Sequence, residues 1–244
     1  MPQSPHAVIA LDGATDDVVV GATEDGELVY EGLVEKGEER FPRHSTMLLP
    51  EVERAAAAAG GWEHVRRIGI GIGPGSFTGL RIAIATGRAL AQARGLEASA
   101  VPTLRALAAG IAERSADGRP ALAVLDARRE EIFAQLHDSA GETVAGPVVL
   151  TPARIGEWLA EAVGSRIADA PSAPLAAGTG SLRFRRELEV AGVEVLPEGD
   201  PAHRLAARHL CALAAAGEQT GPDGIRPIYL REPDARRWLD RDRG

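Results

Sequence analysis

The chain of 244 residues repeats its own opening. An apolar run from Ala7 to Leu11 ends at Asp12, and a second from Ala121 to Leu125 ends at Asp126, 114 residues further on. At the same offset Val18 falls on Ile132, Val19 on Phe133, Val20 on Ala134 and Ala22 on Leu136. A turn follows in each copy, Glu24-Asp25-Gly26 and then Asp138-Ser139-Ala140-Gly141. A third apolar run closes each set, Leu28 to Val34 and Glu142 to Leu150. Short apolar runs bounded by turn residues read as strands. Each copy therefore opens with three strands, the last two joined as a hairpin. Asp117-Gly118-Arg119-Pro120 is the clearest linker, giving halves over 1–117 and 118–231 and a tail over 232–244.

The remaining segments alternate. A helix is expected over His44 to Ala59, stopped by Gly60-Gly61. Pro50 either opens that helix as its first residue or kinks one that already includes 45–49. Val65 to Ile72 reads as a strand, Leu80 to Arg94 as a helix ended by Gly95, Ala98 to Val101 as a strand and Leu104 to Arg114 as a helix. In the second copy helices are expected over Pro152–Val163, Leu182–Ala191 and Ala202–Ala216. Three antiparallel strands followed by alternating helices and strands, then repeated, describe an α/β fold. It is the duplicated actin/hexokinase/Hsp70-like (ASKHA, ribonuclease H-like) fold, with two βββαβαβα halves. Such an architecture does not fix a function.

Composition narrows the function classes. Aromatic residues make up 4% of the chain while apolar residues make up 45%, so the core rests on small, closely approaching elements. The formal charge is −8, from 35 acidic and 27 basic residues. A protein that grips nucleic acid unaided needs a basic footprint. The basic clusters Arg183, Arg185, Arg186 and Arg236, Arg237, Arg241, Arg243 are interleaved with acids, so any work on nucleic acid is expected to go through a partner. Cys211 is the one cysteine and sits in an apolar run, which suits an inert buried thiol. No run approaches the roughly 20 apolar residues of a membrane helix. The opening Met1 to His6 lacks the pattern of a signal peptide, so a cytoplasmic protein is expected.

In the duplicated fold, the acid that ends the first strand of each half and the glycine turn after it hold the phosphates of ATP and their metal through backbone N–H groups. Asp12-Gly13-Ala14-Thr15 could serve as such a turn. Asp126-Ala127-Arg128-Arg129 has no glycine and two bulky cations, so that side of the clamp looks dismantled. Asp12 and Asp126 could equally end buried strands and bond to nearby turn amides.

The most unusual segment runs Gly73-Pro74-Gly75-Ser76-Phe77-Thr78-Gly79-Leu80-Arg81-Ile82. It links a strand to a helix, with Ser76 and Thr78 placed to cap. It is neither a P-loop, since it lacks the Lys-Ser/Thr pair, nor a dinucleotide fingerprint. Beyond it, Gly79, Ala83, Gly87 and Ala91 recur every four residues and form one narrow stripe of small side chains. Two readings of the stripe stay open: packing on the protein's own sheet, or contact with a partner helix. No two of the six histidines lie three or four residues apart, so a helical zinc pair is missing and no metal site is expected. No Gly-x-Ser-x-Gly elbow surrounds Ser76.

The string Gly73 to Ile82 resembles the hallmark of the TsaB family. Further pieces are similar in order: Leu11-Asp12 with Thr15, His44-Ser45 with Leu48-Leu49-Pro50, Leu125-Asp126-Ala127-Arg128-Arg129, Gly178-Thr179-Gly180, and Pro227-Ile228-Tyr229-Leu230-Arg231. The family usually opens Asp-Thr-Ser-Thr, where Gly13 and Ala14 stand here. The resemblance implies a pseudo-enzyme without cofactor that pairs with the catalytic subunit TsaD, which transfers threonylcarbamoyl to tRNA adenosine. The ATPase TsaE joins the assembly. Whether the free chain is a homodimer stays open. The helices that follow His44 and Gly79 form the pairing bundle in the family. An ATP-dependent kinase or a peptidase-like hydrolase of the same fold are the alternatives.

Overall fold

The structure, a computed structural model, describes residues 6–35, 44–166 and 173–231. The tail over 232–244, with its basic cluster, lies outside the described residues, as do the side chains of His44 and Ser45. The first half comprises β1 (Ala7–Asp12), β2 (Val18–Glu24), β3 (Glu27–Val34), α1 (His44–Ala58), β4 (Val65–Gly71), α2 (Phe77–Arg94), β5 (Glu97–Val101) and α3 (Thr103–Ala112). The second comprises β6 (Ala121–Arg128), β7 (Glu131–His137), β8 (Thr143–Leu150), α4 (Ile155–Arg166), β9 (Leu175–Ala177), α5 (Thr179–Arg183), α6 (Arg185–Val190), β10 (Glu194–Val195) and α7 (Ala207–Ala216).

The two sheets share one topology. Strand order is β3-β2-β1-β4-β5 in the first and β8-β7-β6-β9-β10 in the second. In each, the central strand pairs antiparallel with the next in sequence and parallel with the fourth of its half. Asp12 ends central β1, and Asp126 lies near the end of central β6. The β2–β3 hairpin closes on Asp25 and Gly26, both left-handed, which matches the twist of the flanking strands.

The last helix of each half packs on the sheet of the other. α7 crosses β1, β2 and β4, whereas α3 lies on β6, β7 and β9. Small residues permit this close crossing. A methyl group at Gly21 would overlap Ala207, and one at Gly69 would overlap Ala214. A core runs between the sheets through Val101, Leu104, Leu107, Leu125, Phe133 and Leu210. A second core lies under α1 and α2, and a third under α4 and α6. Each fully buried Ile or Leu contributes roughly 1.5–3 kcal/mol of transfer free energy. These interlocked layers hold the ends of β1 and β6 facing a common cleft.

Of the two readings of Pro50 the second holds, since α1 already includes residues 45–49 and runs through it. Other elements differ from expectation. The segment over 182–191 breaks at Phe184, whose φ of −115° and ψ of 35° separate α5 from α6. The segment over 202–216 is a short 3-10 turn at Pro201–His203, capped by Asp200, followed by an extended Arg204 before α7. Thr78 lies inside α2 and leaves the cap to Ser76.

Candidate functional site: the cleft and the outer helix face

A cleft of about 500 Å³ opens where the halves meet. Its first-half wall is Ala14–Asp16 and Gly75–Thr78, and its second-half wall is Leu125–Arg129, Phe133 and Thr179. The chain's last described stretch, Ile228 to Arg231, closes one side. Neither aspartate is presented as a bare ligand. Asp12 has no solvent exposure; its carboxylate accepts the N–H of Ala14 at 2.6 Å and the hydroxyl of Thr103 at 2.7 Å. Burial pushes its pKa up from 3.8 to about 6, against the lowering effect of those two bonds. Gly13 is buried beside it, and Thr15 turns its hydroxyl to the carbonyl of Asp17 at 3.0 Å.

Asp126 makes the matching bond to the N–H of Arg128 at 2.7 Å but lies in a nest of cations. Arg128 reaches it at 3.3 Å and Arg183 at 3.1 Å. Arg128 also donates twice to Asp16, at 2.8 and 2.7 Å, and so bridges the halves across the cleft. Arg183 continues to Glu130. Arg128, Arg129 and Glu130 all have φ between 54° and 62°, three left-handed residues in a row without a glycine. Such conformations cost of order 1–2 kcal/mol each and persist only where the surroundings enforce them. The arginines meet carboxylates of this chain where the duplicated fold would meet phosphate. Among the described residues no group of three His, Cys, Asp or Glu side chains could hold a metal ion.

The string from Gly73 to Arg81 is built for close approach. Gly73 has φ +88°, and a methyl group there would press on Leu80. At Gly75 a methyl group would overlap the carbonyl of Ala14, to which the N–H of Ser76 donates at 2.7 Å. Ser76 Oγ accepts the N–H of Gly79 at 3.3 Å and caps α2, and among the described residues no histidine lines the cleft to activate it. Pro74 is buried. Phe77 and Thr78 are exposed. The Phe77 ring lies 5.3 Å from that of Tyr229, and the Arg81 guanidinium sits over the Phe77 ring, 5.2 Å from its centroid.

The stripe of Gly79, Ala83, Gly87 and Ala91 faces inward. All four are buried, and a methyl group at Gly87 would come within 2.7 Å of Ile70 on β4. Leu48 of α1 is core as well. α1 and α2 pack side by side on the first sheet. Their outer faces carry Leu49, Pro50 and Ala57 on one helix, and Arg81, Ala85, Ala89 and Ala93 on the other, all exposed. The second small-residue stripe, Ala85-Ala89-Ala93, also has a four-residue period and was open to the same reading.

Comparison with known proteins places this geometry. The family described as TsaD, tRNA N6-adenosine threonylcarbamoyltransferase, matches residues 38–176, more than half of the 244. The chain belongs to this family. The tRNA threonylcarbamoyladenosine biosynthesis protein TsaB of Escherichia coli is 29% identical over 238 residues, covering 92% of this chain and 94% of that protein. YeaZ from Pseudomonas aeruginosa superposes with a TM-score of 0.71 at 28% identity, covering 92% of this chain and all of the other. A ROK hexokinase from Thermus thermophilus shares the fold alone, with a TM-score of 0.50 at 16% identity over 87% of this chain and 99% of that one. The resemblance to TsaB read from the sequence and the duplicated α/β fold are both borne out.

Proposed function

We propose that this chain is the non-catalytic pairing subunit in the synthesis of threonylcarbamoyladenosine on tRNA. It docks a TsaD-type catalytic subunit through the outer faces of α1 and α2, works beside a TsaE-type ATPase in the cytoplasm, and meets tRNA through that assembly. The observation that carries this reading is the exposed stripe Ala85-Ala89-Ala93 beside Leu49 and Ala57. Small side chains on an exposed helix face let a second helix approach closely. Family membership and the TsaB relative support a TsaD-type partner. The state of the cleft supports the non-catalytic part, since Asp12 is withdrawn and Arg128 is spent on Asp16 and Asp126. No helix of the described residues is long and apolar enough to cross a membrane.

Ala83 is fully buried, so a large residue there would unfold the chain rather than test pairing. Ala89 is the better probe. Ala89→Trp should leave the fold intact and weaken pairing with the TsaD-type subunit of the same genome by about 1–3 kcal/mol, the usual penalty for overfilling a packed contact. Calorimetric titration of the two proteins reads this directly. A folded Ala89→Trp protein that pairs normally would move the docking face elsewhere, and pairing only with a second copy of this chain would make it a homodimer surface. Magnesium-ATP titrated into the isolated chain should show no submicromolar binding.

A further inference from the structure

Asp12 is a carboxylate without solvent exposure, and charged groups are buried only where partners replace lost hydration. Its two oxygens have one partner each, Ala14 N–H and the Thr103 hydroxyl. Thr103 is also fully buried. Its hydroxyl donates to Asp12 and accepts the N–H of Gly73 at 3.1 Å, while its own N–H donates to the Gly73 carbonyl at 3.0 Å. Three residues on, the N–H of Ser76 meets the Ala14 carbonyl at 2.7 Å. One carboxylate thus closes a ring through three loops: the β1–β2 turn, the turn before α2 and the β5–α3 junction. A methyl group at Gly71 would overlap that carboxylate, so the strand beside it leaves the room it needs.

The second half serves as an internal control. There the glycine after the fourth strand, Gly178, donates its N–H to His203 Nδ1 at 3.1 Å. The other ring nitrogen of His203 faces the carbonyls of Leu196 and Pro197, at 3.1 and 2.9 Å, so the ring does not reach Asp126. The turn after Gly178 leads into α5, a helix of 5 residues. The turn after Gly73 leads into α2, of 18 residues, which carries the exposed face. Asp126 meets its turn through its own N–H, which donates to the Thr179 hydroxyl at 3.1 Å, and its carboxylate takes Arg183 rather than a buried hydroxyl. The ring closed by a buried carboxylate and a buried hydroxyl occurs in the half whose turn has a long outward-facing helix to aim.

We infer that Asp12 and Thr103 are a positioning pair that sets the Gly73–Ser76 turn, and through it the placement of Phe77, Arg81 and Ala85 before a partner. The pair does no chemistry; the acid that ends the first strand works as a brace. This rests on the docking role proposed above. Thr103→Val keeps the shape of the side chain and removes both hydroxyl bonds. Amide exchange at Gly73 and Ser76 should quicken at least tenfold, with Ile68 and Ile70 in β4 unchanged, and affinity for the TsaD-type subunit should fall about tenfold. Thr103→Ser should restore both. Asp12→Asn keeps one of the two ties and should lose about threefold in affinity, which decides the matter if Thr103→Val does not fold. Wild-type affinity in folded Thr103→Val, or in Asp12→Asn where the former is unfolded, overturns the inference. So does a loss that Thr103→Ser does not restore, or one accompanied by faster exchange throughout β4. If the unsubstituted protein does not bind the TsaD-type subunit, the docking role fails, while exchange at Gly73 and Ser76 still decides whether the pair sets the turn.

Discussion

Asp12 and Asp126 end the same kind of strand in two halves of one chain and meet opposite surroundings. The side chain of Asp126 is 10% exposed among arginines, whereas Asp12 is sealed at 0%. Strand length accounts for the difference. β4 has seven residues, and its register sets Leu11 beside Ile70, so Asp12 falls beside Gly71 with β2 on its other flank. β9 has three residues and ends at Ala177 opposite Ala123. Asp126 lies three residues past that point, flanked by β7 at Ile132 on one side and on the other by α5, where the Thr179 hydroxyl accepts its N–H at 3.1 Å and Arg183 reaches its carboxylate at 3.1 Å. In a duplicated fold, the length of the neighbouring parallel strand decides whether an equivalent acid becomes an internal brace or a charge at the lip of a cleft.

The strongest way to break this comparison is to titrate it. The folded-state pKa of Asp12, about 6 against 3.8, lies above its unfolded value. Its contribution is therefore fully present below pH 3.8 and is lost as pH rises through about 6. The shift corresponds to about 3 kcal/mol between the two ends of that window. His137 and His209 work in the opposite sense, because burial lowers both and their contributions are lost as pH falls. The difference between wild type and Asp12→Asn isolates the aspartate. Chemical denaturation of both proteins across the window should show the variant gaining about 3 kcal/mol relative to wild type as pH rises. A constant difference would mean that Asp12 is not sealed, and the contrast with Asp126 would collapse.

Gly71→Ala comes next. The added methyl group would overlap the Asp12 carboxylate, which is held in place by the Ala14 N–H and the Thr103 hydroxyl. Overfilling of this kind costs typically 1–3 kcal/mol, so the melting temperature should fall by roughly 2–4 °C for each kcal/mol in a chain of this size. A melting temperature equal to that of wild type would show that the carboxylate can swing toward the cleft as Asp126 does.

How much of this was legible depended on length and on contact distance. The repeat of Leu-Asp and the strands after it were readable because six to eight residues of apolar pattern carry a period. β9 and β10, with three and two residues, carry none, and the contrast between the two aspartates follows from that shortness. The glycines of Gly73 to Gly79 announced a tight crossing, but not that Gly75 meets Ala14. Both small-residue stripes of α2 have the same period, so periodicity could not say which faced inward. The glycine at 87 was the usable signal, since Ile70 leaves no room for a side chain there. The pair Arg128–Asp16 joins residues 112 apart, and nothing in local spacing announces it.

The smallest effect is expected at that pair, and it sharpens the comparison from the exposed side. Arg128 is 58% exposed and Asp16 46% exposed. Water screens both, so Arg128→Ala should cost less than about 1 kcal/mol despite the two-pronged geometry, and the loss should shrink at molar salt. The backbone adds a second term of opposite sign. Arg128 has φ 62°, where alanine remains strained and glycine does not. Arg128→Gly should therefore be more stable than Arg128→Ala by about 1 kcal/mol, and close to wild type. Denaturant midpoints of the two variants, measured at low and high salt, separate the charge effect from the backbone effect. If Arg128→Ala instead costs more than 2 kcal/mol and Arg128→Gly does not recover it, the cleft is held as firmly as the core around Asp12. The two aspartates would then differ in exposure but not in the stability they anchor, and strand length would no longer account for their separate roles.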